Sequence, residues 1–198
     1  YYDRLASYED VFGNFEEAIK YAEKSLAIDS TSWWMIYLMG LQYCYLDRNE
    51  EYLEYLKKFE KNSNTLEQSD FFYPFRIGHA YWVNGFKEEA EFYFNRGWEL
   101  YNKTLDLRIP ALLEVSTFYY PAAMYSFLKN KDKAFEYLRH IDQSSFVQLW
   151  LVKDLNNDPL FDNIRDEPEF QQIIRNVEAK CQAEHERVRQ WLEENEML

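Results

Sequence analysis

The amino-acid sequence predicts an all-α fold of about four helical hairpins followed by closing helices. Three observations predict it. Small residues recur among bulky ones at a repeating spacing, short turn sequences divide each repeat in two, and apolar residues follow the helical period of about 3.6 residues. The 198 residues suffice for one ordinary domain or for a short repeat array.

The repeat is defined by three series of positions that share the same gaps of 34, 38 and 44 residues. The first series consists of small residues inside bulky stretches: Ala6, Gly40, Gly78 and Ala122. The second begins 12 residues later: Ala18, Tyr52, Ala90 and Ala134. The third is Ser25, Phe59, Gly97 and Ile141. Each repeat therefore keeps its internal spacing, and extra residues fall between repeats, as two helices packed in a fixed way require.

Turn residues separate the two helices of each repeat. Gly13 and Gly85 precede acidic residues in "GNFEEA" and "GFKEEA", and "DRNEEY" and "KNKDKA" occupy the same place without glycine. Glycine readily adopts the positive φ that ends a helix, and acidic side chains suit the start of the next one. The second helices then carry apolar residues at helical spacing, such as Phe135, Leu138 and Ile141.

Gly78 lies where a helix is expected, in "RIGHAYWVNGFKEEAEFYF". Glycine inside a helix costs about 1 kcal/mol relative to alanine. We expect that the missing side chain lets the paired helix approach closely, while the surrounding aromatic residues fill the flanks.

This pattern resembles the tetratricopeptide repeat (TPR). The third repeat matches its signature best, and the first matches through "GNFEEAIKYAEKSLAID". The matching positions of the third repeat are Ile77, Gly78, Tyr81, Ala90, Phe94 and Gly97. The resemblance implies a right-handed TPR-like superhelix over residues 1–145, with repeats at about 1–30, 32–62, 70–102 and 110–143.

The fourth repeat departs from this pattern because it contains two prolines. Pro110 stands where a helix could start, and Pro121 falls inside the apparent first helix. A proline inside a helix lacks a hydrogen-bond donor and its ring clashes with the preceding turn, so we expect a kink or a break at Pro121.

A closing segment, residues 146–198, follows the repeats. Proline after an acidic residue occurs at Pro159 and Pro168, which predicts a short helix and then a long capping helix over about 169–196. The apolar stripe of the long helix is Phe170, Ile173, Ile174, Val177, Cys181, Val188, Trp191 and Leu192. A cap with a charged outer face is one interpretation, and a homodimer seam through the same helix is the other.

The composition narrows the function classes. A formal net charge of −13 disfavours nucleic acid and anionic membranes as partners. The longest apolar run, residues 33–46, is shorter than the roughly 18 residues that suggest a membrane span. The absence of an initial methionine and of a signal-peptide pattern predicts a piece of a longer, cytoplasmic protein.

No motif for catalysis, metal or cofactor binding stands out. Cys44 and Cys181 form neither a disulfide framework nor a zinc motif, and there is no glycine-rich phosphate loop. The stretch "DLNNDPLFDNIR" spaces its acidic residues like a calcium loop, but Pro159 and Arg165 replace the glycine and the glutamate that such a loop requires. We therefore expect no catalytic residue, no metal and no cofactor.

The TPR resemblance implies that the first helices line a concave groove for a peptide or protein segment. The residues on the matching face are mostly aromatic: Trp34, Tyr37, Leu41, Tyr45, Phe72, Phe75, His79, Trp82, Tyr119 and Phe127. The alternative is a sensory region of a larger bacterial signalling protein, either a transcriptional regulator or an adenylate-cyclase-like protein. The closing segment resembles the segment that follows tetratricopeptide arrays in such proteins. A third class, an aromatic-rich helical-toroid hydrolase, would need two close carboxylates in a pocket that have no structural role in the repeats.

Overall fold

The computed structural model describes residues 1–62, 71–106, 115–145 and 147–197. These residues form ten α-helices and one 3₁₀ helix, and no strand occurs among them, so the all-α prediction is confirmed. The first six α-helices are α1 Tyr2–Val11, α2 Phe15–Ile28, α3 Trp33–Tyr45, α4 Asn49–Asn62, α5 Phe72–Val83 and α6 Lys87–Asp106. They are followed by α7 Ser116–Phe127, α8 Lys131–Gln143, α9 Leu149–Asn157, the 3₁₀ helix Pro159–Phe161 and α10 Pro168–Glu194.

Four hairpins are formed by the pairs α1–α2, α3–α4, α5–α6 and α7–α8. Each hairpin turn contains one residue with positive φ: Gly13 at 76°, Asp47 at 56°, Gly85 at 88° and Lys129 at 61°. These positions are again 34, 38 and 44 residues apart by subtraction. The turns without glycine therefore adopt the same backbone geometry as the turns with it.

Close approach of α5 and α6 is reciprocal. A Cβ atom added to Gly78 on α5 would lie 2.6 Å from Cδ1 of Phe94, and one added to Gly97 on α6 would lie 2.5 Å from Cδ1 of Phe75. Each glycine thus receives the phenylalanine ring of the facing helix. Gly40 receives Leu56 in the same way, at 2.7 Å from Cδ2. The expectation that glycine lets the paired helix approach is confirmed.

A tyrosine pair recurs within the hairpins. Tyr43 and Tyr55 have ring centroids 5.3 Å apart, and Tyr81 and Tyr93 have them 5.4 Å apart. In the fourth hairpin the corresponding distance between Tyr125 and Tyr137 is 5.7 Å. The second members of these pairs lie 15 residues after the small residues of the first series, by subtraction, so the sequence carried this signal.

The chain divides into two compact units, Tyr1–Leu113 and Glu114–Leu198. In the first unit, α2 packs on α3 and α4 packs on α5, which joins three hairpins. Helix α3 is buried from Met35 to Cys44. Inside this core the side-chain amide of Gln42 donates a 2.8 Å hydrogen bond to Asp10 and ties α3 to α1.

The second unit combines the fourth hairpin with the closing helices, whereas the sequence-based boundary lay at residue 145. Tyr119 on α7 is its centre: the hydroxyl donates a 2.5 Å hydrogen bond to Asp158, and the ring contacts Trp150 and Phe161. Helix α9, which contains Trp150, was not predicted, because its short apolar run lacks a proline or glycine start signal. The predicted short and long helices correspond to the 3₁₀ helix and α10.

Helix α7 continues through Pro121 from Ser116 to Phe127, so the expected break does not occur. Pro110 and the predicted repeat boundaries at residues 70 and 110 lie outside the described residues.

The stretch "DLNNDPLFDNIR", whose acidic residues are spaced like those of a calcium loop, is stabilised by its own arginine. Arg165 donates 2.6 Å hydrogen bonds to the carbonyl oxygens of Asn156 and Asp158. The guanidinium group thereby caps the C-terminal end of α9.

Helix α10 packs within the second unit through its first half only. Phe170, Ile173, Ile174 and Val177 are buried, and α10 contacts α8 and α9. Lys180 still contacts the end of α8, where it donates a 3.1 Å hydrogen bond to the carbonyl oxygen of Ser144, but beyond Cys181 most of the helix is exposed, with ion pairs such as Arg187–Glu184 at 2.6 Å along its length. None of the helices in the described part of the chain combines the length and hydropathy that a membrane crossing requires.

Candidate protein-binding surface

Four of the predicted groove residues in the first unit are buried: Tyr37, Leu41, Phe75 and His79. Tyr37 packs against Phe59 with ring centroids 4.9 Å apart. Nδ1 of His79 lies 3.4 Å from the hydroxyl of Tyr52. These four side chains therefore contribute to the core, where a partner does not reach them in this conformation.

Three predicted groove residues in the first unit are half-buried. Tyr45 stacks on Phe15 with ring centroids 4.9 Å apart. Phe72 lies beside Tyr73, at 4.1 Å. The ring of Trp82 is covered by the ammonium group of Lys87, 3.6 Å from the ring centroid. Each of these rings is in contact with a neighbouring side chain, which reduces the area that is accessible to a ligand.

The two predicted groove residues of the second unit lie in a separate environment. Tyr119 is buried among the closing helices, and Phe127 is half-buried at the end of α7. Neither forms part of the surface described below, which belongs to the first unit alone.

Two adjacent tryptophans at the start of α3 are exposed. Trp33 is 45% and Trp34 is 41% exposed, although both rings are in contact with other rings. Trp33 contacts Phe59 and Tyr73, with centroids 6.2 and 6.4 Å away, and Trp34 contacts Tyr37 at 6.0 Å. A buried aromatic base thus fixes two rings whose outer faces remain accessible.

Helix α1 extends this surface with polar side chains. The indole nitrogen of Trp34 donates a long hydrogen bond of 3.4 Å to Oγ of Ser7, and Asp3 lies one turn earlier on α1. Asp3 and Ser7 are 34 residues before Tyr37 and Leu41 by subtraction, so they are the first-repeat equivalents of two predicted groove positions. The sequence analysis assigned no groove residue in the first repeat, although the same spacing would have found these two.

A pocket of about 230 Å³ lies beside this surface, between the start of α1 and the end of α2. Its lining is formed by Tyr1, Tyr2, Asp3, Ser25, Ile28, Asp29 and Ser32. Ser32 directly precedes Trp33, and Asp3 shares a helix face with Ser7. The pocket, α1 and the tryptophan pair therefore form one continuous surface, called the α1–α3 face below.

Two carboxylates give the pocket negative charge. Asp3 accepts a hydrogen bond from the hydroxyl of Ser25. Asp29 accepts hydrogen bonds from the hydroxyl of Thr31 at 2.6 Å and from its backbone amide at 3.0 Å. These bonds stabilise the charged form and lower the pKa of the Asp29 carboxyl. The described residues contain no cluster of three or more His, Cys, Asp or Glu side chains suited to a metal ion.

The four hairpins share one internal spacing, with close helix contact at the small residues and a positive-φ turn between the helices. This is the arrangement of tetratricopeptide hairpins. The protein has a TPR-type fold.

No protein-family model matches the sequence, and no curated protein matches it. Among solved structures, MamA is similar over 92% of this chain and 97% of its own, with 17% identity and a TM-score of 0.44. The TPR-like repeats of a kinesin light chain from Podosopora anserina are similar over 94% and 95% of the two chains, with 17% identity and a TM-score of 0.48.

Proposed function

We propose that this chain is a non-enzymatic binding module that holds a segment of another protein against the α1–α3 face. One observation carries the proposal: Trp33 and Trp34 are more than two-fifths exposed while their inner faces are fixed on buried rings. Large, immobilised aromatic side chains offer contact area at little cost in conformational entropy, and they dominate the energetics of many protein interfaces.

Only part of the predicted groove in the first unit is accessible to a partner. Of the groove residues predicted in the first unit, Trp34 is the one that is exposed rather than buried or half-buried, and Ser7 and Asp3 continue its surface along α1. The net charge of −13 makes nucleic acid and anionic membranes poor partners, because their phosphates would be repelled. A protein segment with apolar and neutral or basic side chains fits this surface best.

The experiment compares three versions of the protein in affinity capture from the source cell's lysate. These are the wild type, Trp33→Ala/Trp34→Ala, and Trp191→Ala as a control in which an exposed tryptophan on α10 is removed. We expect a partner that is held by the wild type and by the control and is lost by the double variant. A synthetic peptide from that partner should then bind the double variant at least about ten-fold more weakly.

Equal capture by all three versions would contradict the proposal, since it would place the interaction away from the tryptophan pair. Circular dichroism of the double variant provides the folding check. The predicted placement of this chain in a larger cytoplasmic regulatory protein remains a prediction, which the full reading frame would test.

A further inference from the structure

Helix α10 carries one stripe of mostly apolar residues that is buried in its first half and exposed in its second. The stripe advances in alternating steps of three and four residues, the spacing that aligns side chains along a coiled-coil seam. Its members are Ile174, Val177, Cys181, Glu184, Val188 and Trp191. Ile174 and Val177 are buried, whereas Val188 and Trp191 are 41% and 51% exposed. The second half of the seam thus stays open to solvent in the described part of the chain.

Two opposite charges mark the open half of the seam. Glu184 is the charged member of the stripe, and Arg187 follows one turn later at its edge. The Arg187 guanidinium donates hydrogen bonds of 2.7 and 2.6 Å to the Glu184 carboxylate. Both side chains are more than half exposed, so each can pair with a further charge. A helix that covers the seam must therefore offer a positive group to Glu184 and a negative group to Arg187.

A second copy of α10 meets this requirement when it runs antiparallel. A two-fold axis places a patch on itself, so that residue i of one copy faces residue j of the other and j faces i. With the axis near residue 186, Glu184 of one copy lies beside Arg187 of the other, and the reverse pair forms across the axis. Trp191 of one copy then packs on Cys181 of the other, because the two positions are equally far from the axis.

A parallel second copy does not meet it. In register, parallel helices would place the two Glu184 side chains against each other at the seam, and like charges in contact oppose association. Each copy also has a formal net charge of −13, so long-range repulsion has to be offset by attractive close pairs before a dimer can form. The antiparallel arrangement supplies such pairs.

We propose that residues 181–192 of α10 form an antiparallel seam with the same residues of a second copy of this chain. The seam is about 17 Å long at a rise of about 1.5 Å per residue. Interfaces this small belong to the weak class of specific association, so we expect a dissociation constant of about 10–100 µM. The proposal does not depend on the proposed function, because it concerns α10 and not the α1–α3 face.

Charge reversal tests the seam while every apolar side chain is kept. Glu184→Arg leaves two positive charges at the edge of the seam, and Arg187→Glu leaves two negative ones. In sedimentation velocity between about 5 and about 500 µM, each variant alone should self-associate at least about ten-fold more weakly than the wild type. An equimolar mixture of the two should recover the wild-type affinity to within about three-fold, since opposite charges then face each other again.

Two controls accompany the charge variants. Glu186→Arg changes the net charge as Glu184→Arg does, but it lies two residues along the helix and so on the opposite side. It should dimerise within about two-fold of the wild type. Trp33→Ala/Trp34→Ala should also dimerise like the wild type, which separates a failure of this proposal from a failure of the binding module.

Disulfide cross-linking reports the direction of the second helix. Cys44 is buried and Cys181 is half-buried, so Cys181 is the thiol that an oxidant such as diamide reaches. Trp191→Cys should be cross-linked to Cys181 of the other copy. The wild type and Trp191→Cys/Cys181→Ser should not be cross-linked, because identical positions of the antiparallel copies lie about 15 Å apart, too far for a disulfide.

Three results would overturn the proposal. The first is a wild-type protein that stays monomeric at about 500 µM. The second is a pair of charge variants that dimerise as tightly as the wild type, or whose mixture does not recover association. The third is a wild-type dimer cross-linked through Cys181, which would show parallel helices.

Discussion

Among single residues, the glycines facing phenylalanine and leucine side chains determine how closely the helices of a hairpin pack. Gly78 and Gly97 lie on facing helices, and each accommodates a ring that a methyl group would meet at about 2.5–2.6 Å. Real Cβ contacts are not that short, so the packing excludes even alanine unless the ring moves.

Gly78→Ala should therefore destabilise the first unit by about 1–3 kcal/mol, although alanine is the better helix former. In a Phe94→Ala background the same change should cost less, because the ring that it meets is gone, while the 3.1 Å approach to the carbonyl of Ala90 remains. Urea unfolding of the four proteins in this cycle measures the coupling. A Gly78→Ala variant as stable as the wild type would refute the close-approach explanation.

Tyr93 should make the fold sensitive to alkaline pH. Burial, and then the hydrogen bond to Glu60 with the negative charge of that carboxylate, raises the pKa of the Tyr93 phenol. The folded state thus keeps its proton when the unfolded chain, with an ordinary pKa of about 10, has lost it. The contribution of Tyr93 to the free energy of unfolding is fully present below about pH 10. It decreases as the pH rises above that value, because the folded state then binds more protons than the unfolded state.

Tyr93→Phe should reduce the loss of stability between about pH 9 and about pH 11, because the phenol that keeps its proton in the folded state is removed. Urea unfolding at a series of pH values measures these slopes. The same slope in the wild type and in Tyr93→Phe would show that Tyr93 does not carry the effect.

Among secondary-structure elements, the hairpin turns are the most regular. All four place a positive-φ residue at the same position of the repeat, although two of them use Asp47 and Lys129. For residues other than glycine, this conformation costs roughly 1 kcal/mol, and aspartate tolerates it better than lysine.

Lys129→Gly should accordingly stabilise the fourth hairpin by about 0.5–1 kcal/mol. Gly85→Ala is the reverse experiment and should destabilise by a similar amount through backbone strain alone, because no atom lies within 4 Å of the added Cβ. Thermal unfolding reports both. If Lys129→Gly lowers the melting temperature, backbone strain at Lys129 does not limit the stability of the fourth hairpin.

The exposed half of α10 should contribute little to the stability of the second unit. Its buried residues end at Val177, while Val188 and Trp191 are 41% and 51% exposed. Removing residues 182–198 should change the free energy of unfolding by less than about 0.5 kcal/mol at low protein concentration, whereas Val177→Asp should cost several kcal/mol.

A homodimer seam is the alternative interpretation of this helix, and the same truncation tests it by a second measurement. A seam in residues 182–198 predicts that, in sedimentation at high protein concentration, the full chain is dimeric and the truncated chain is monomeric. Equal sedimentation of the two would exclude a dimer seam in residues 182–198.

For the molecule as a whole, the sequence was sufficient to predict the hairpins and insufficient to predict which side chains are accessible to a partner. Constant spacing predicted the hairpins because helix packing acts locally and repeats identically. The burial of Phe75 and His79 depends on neighbours distant in sequence, which periodicity does not report. Asp3 and Ser7 could have been found from the 34-residue gap, since they precede Tyr37 and Leu41 by that distance.

In the second unit, too, some features could be predicted from the sequence and others could not. Pro168 correctly marked the start of the long helix, but α7 continues through Pro121, where the sequence suggested a kink or a break. Helix α9 had no start signal, and its position follows from the contact between Trp150 and Tyr119. Local chemistry thus predicts where helices begin, and the packing of distant residues decides which of them form a compact unit.

Hydrogen–deuterium exchange of the wild-type protein, with and without the captured partner's peptide, tests the binding surface most directly. The first amides of α3 lack intrahelical acceptors, so we expect them to exchange readily in the free protein. The binding module proposed here predicts protection in residues 1–11 and 29–37 and none in residues 182–197. Protection confined to α10, or none in the first unit, would contradict it.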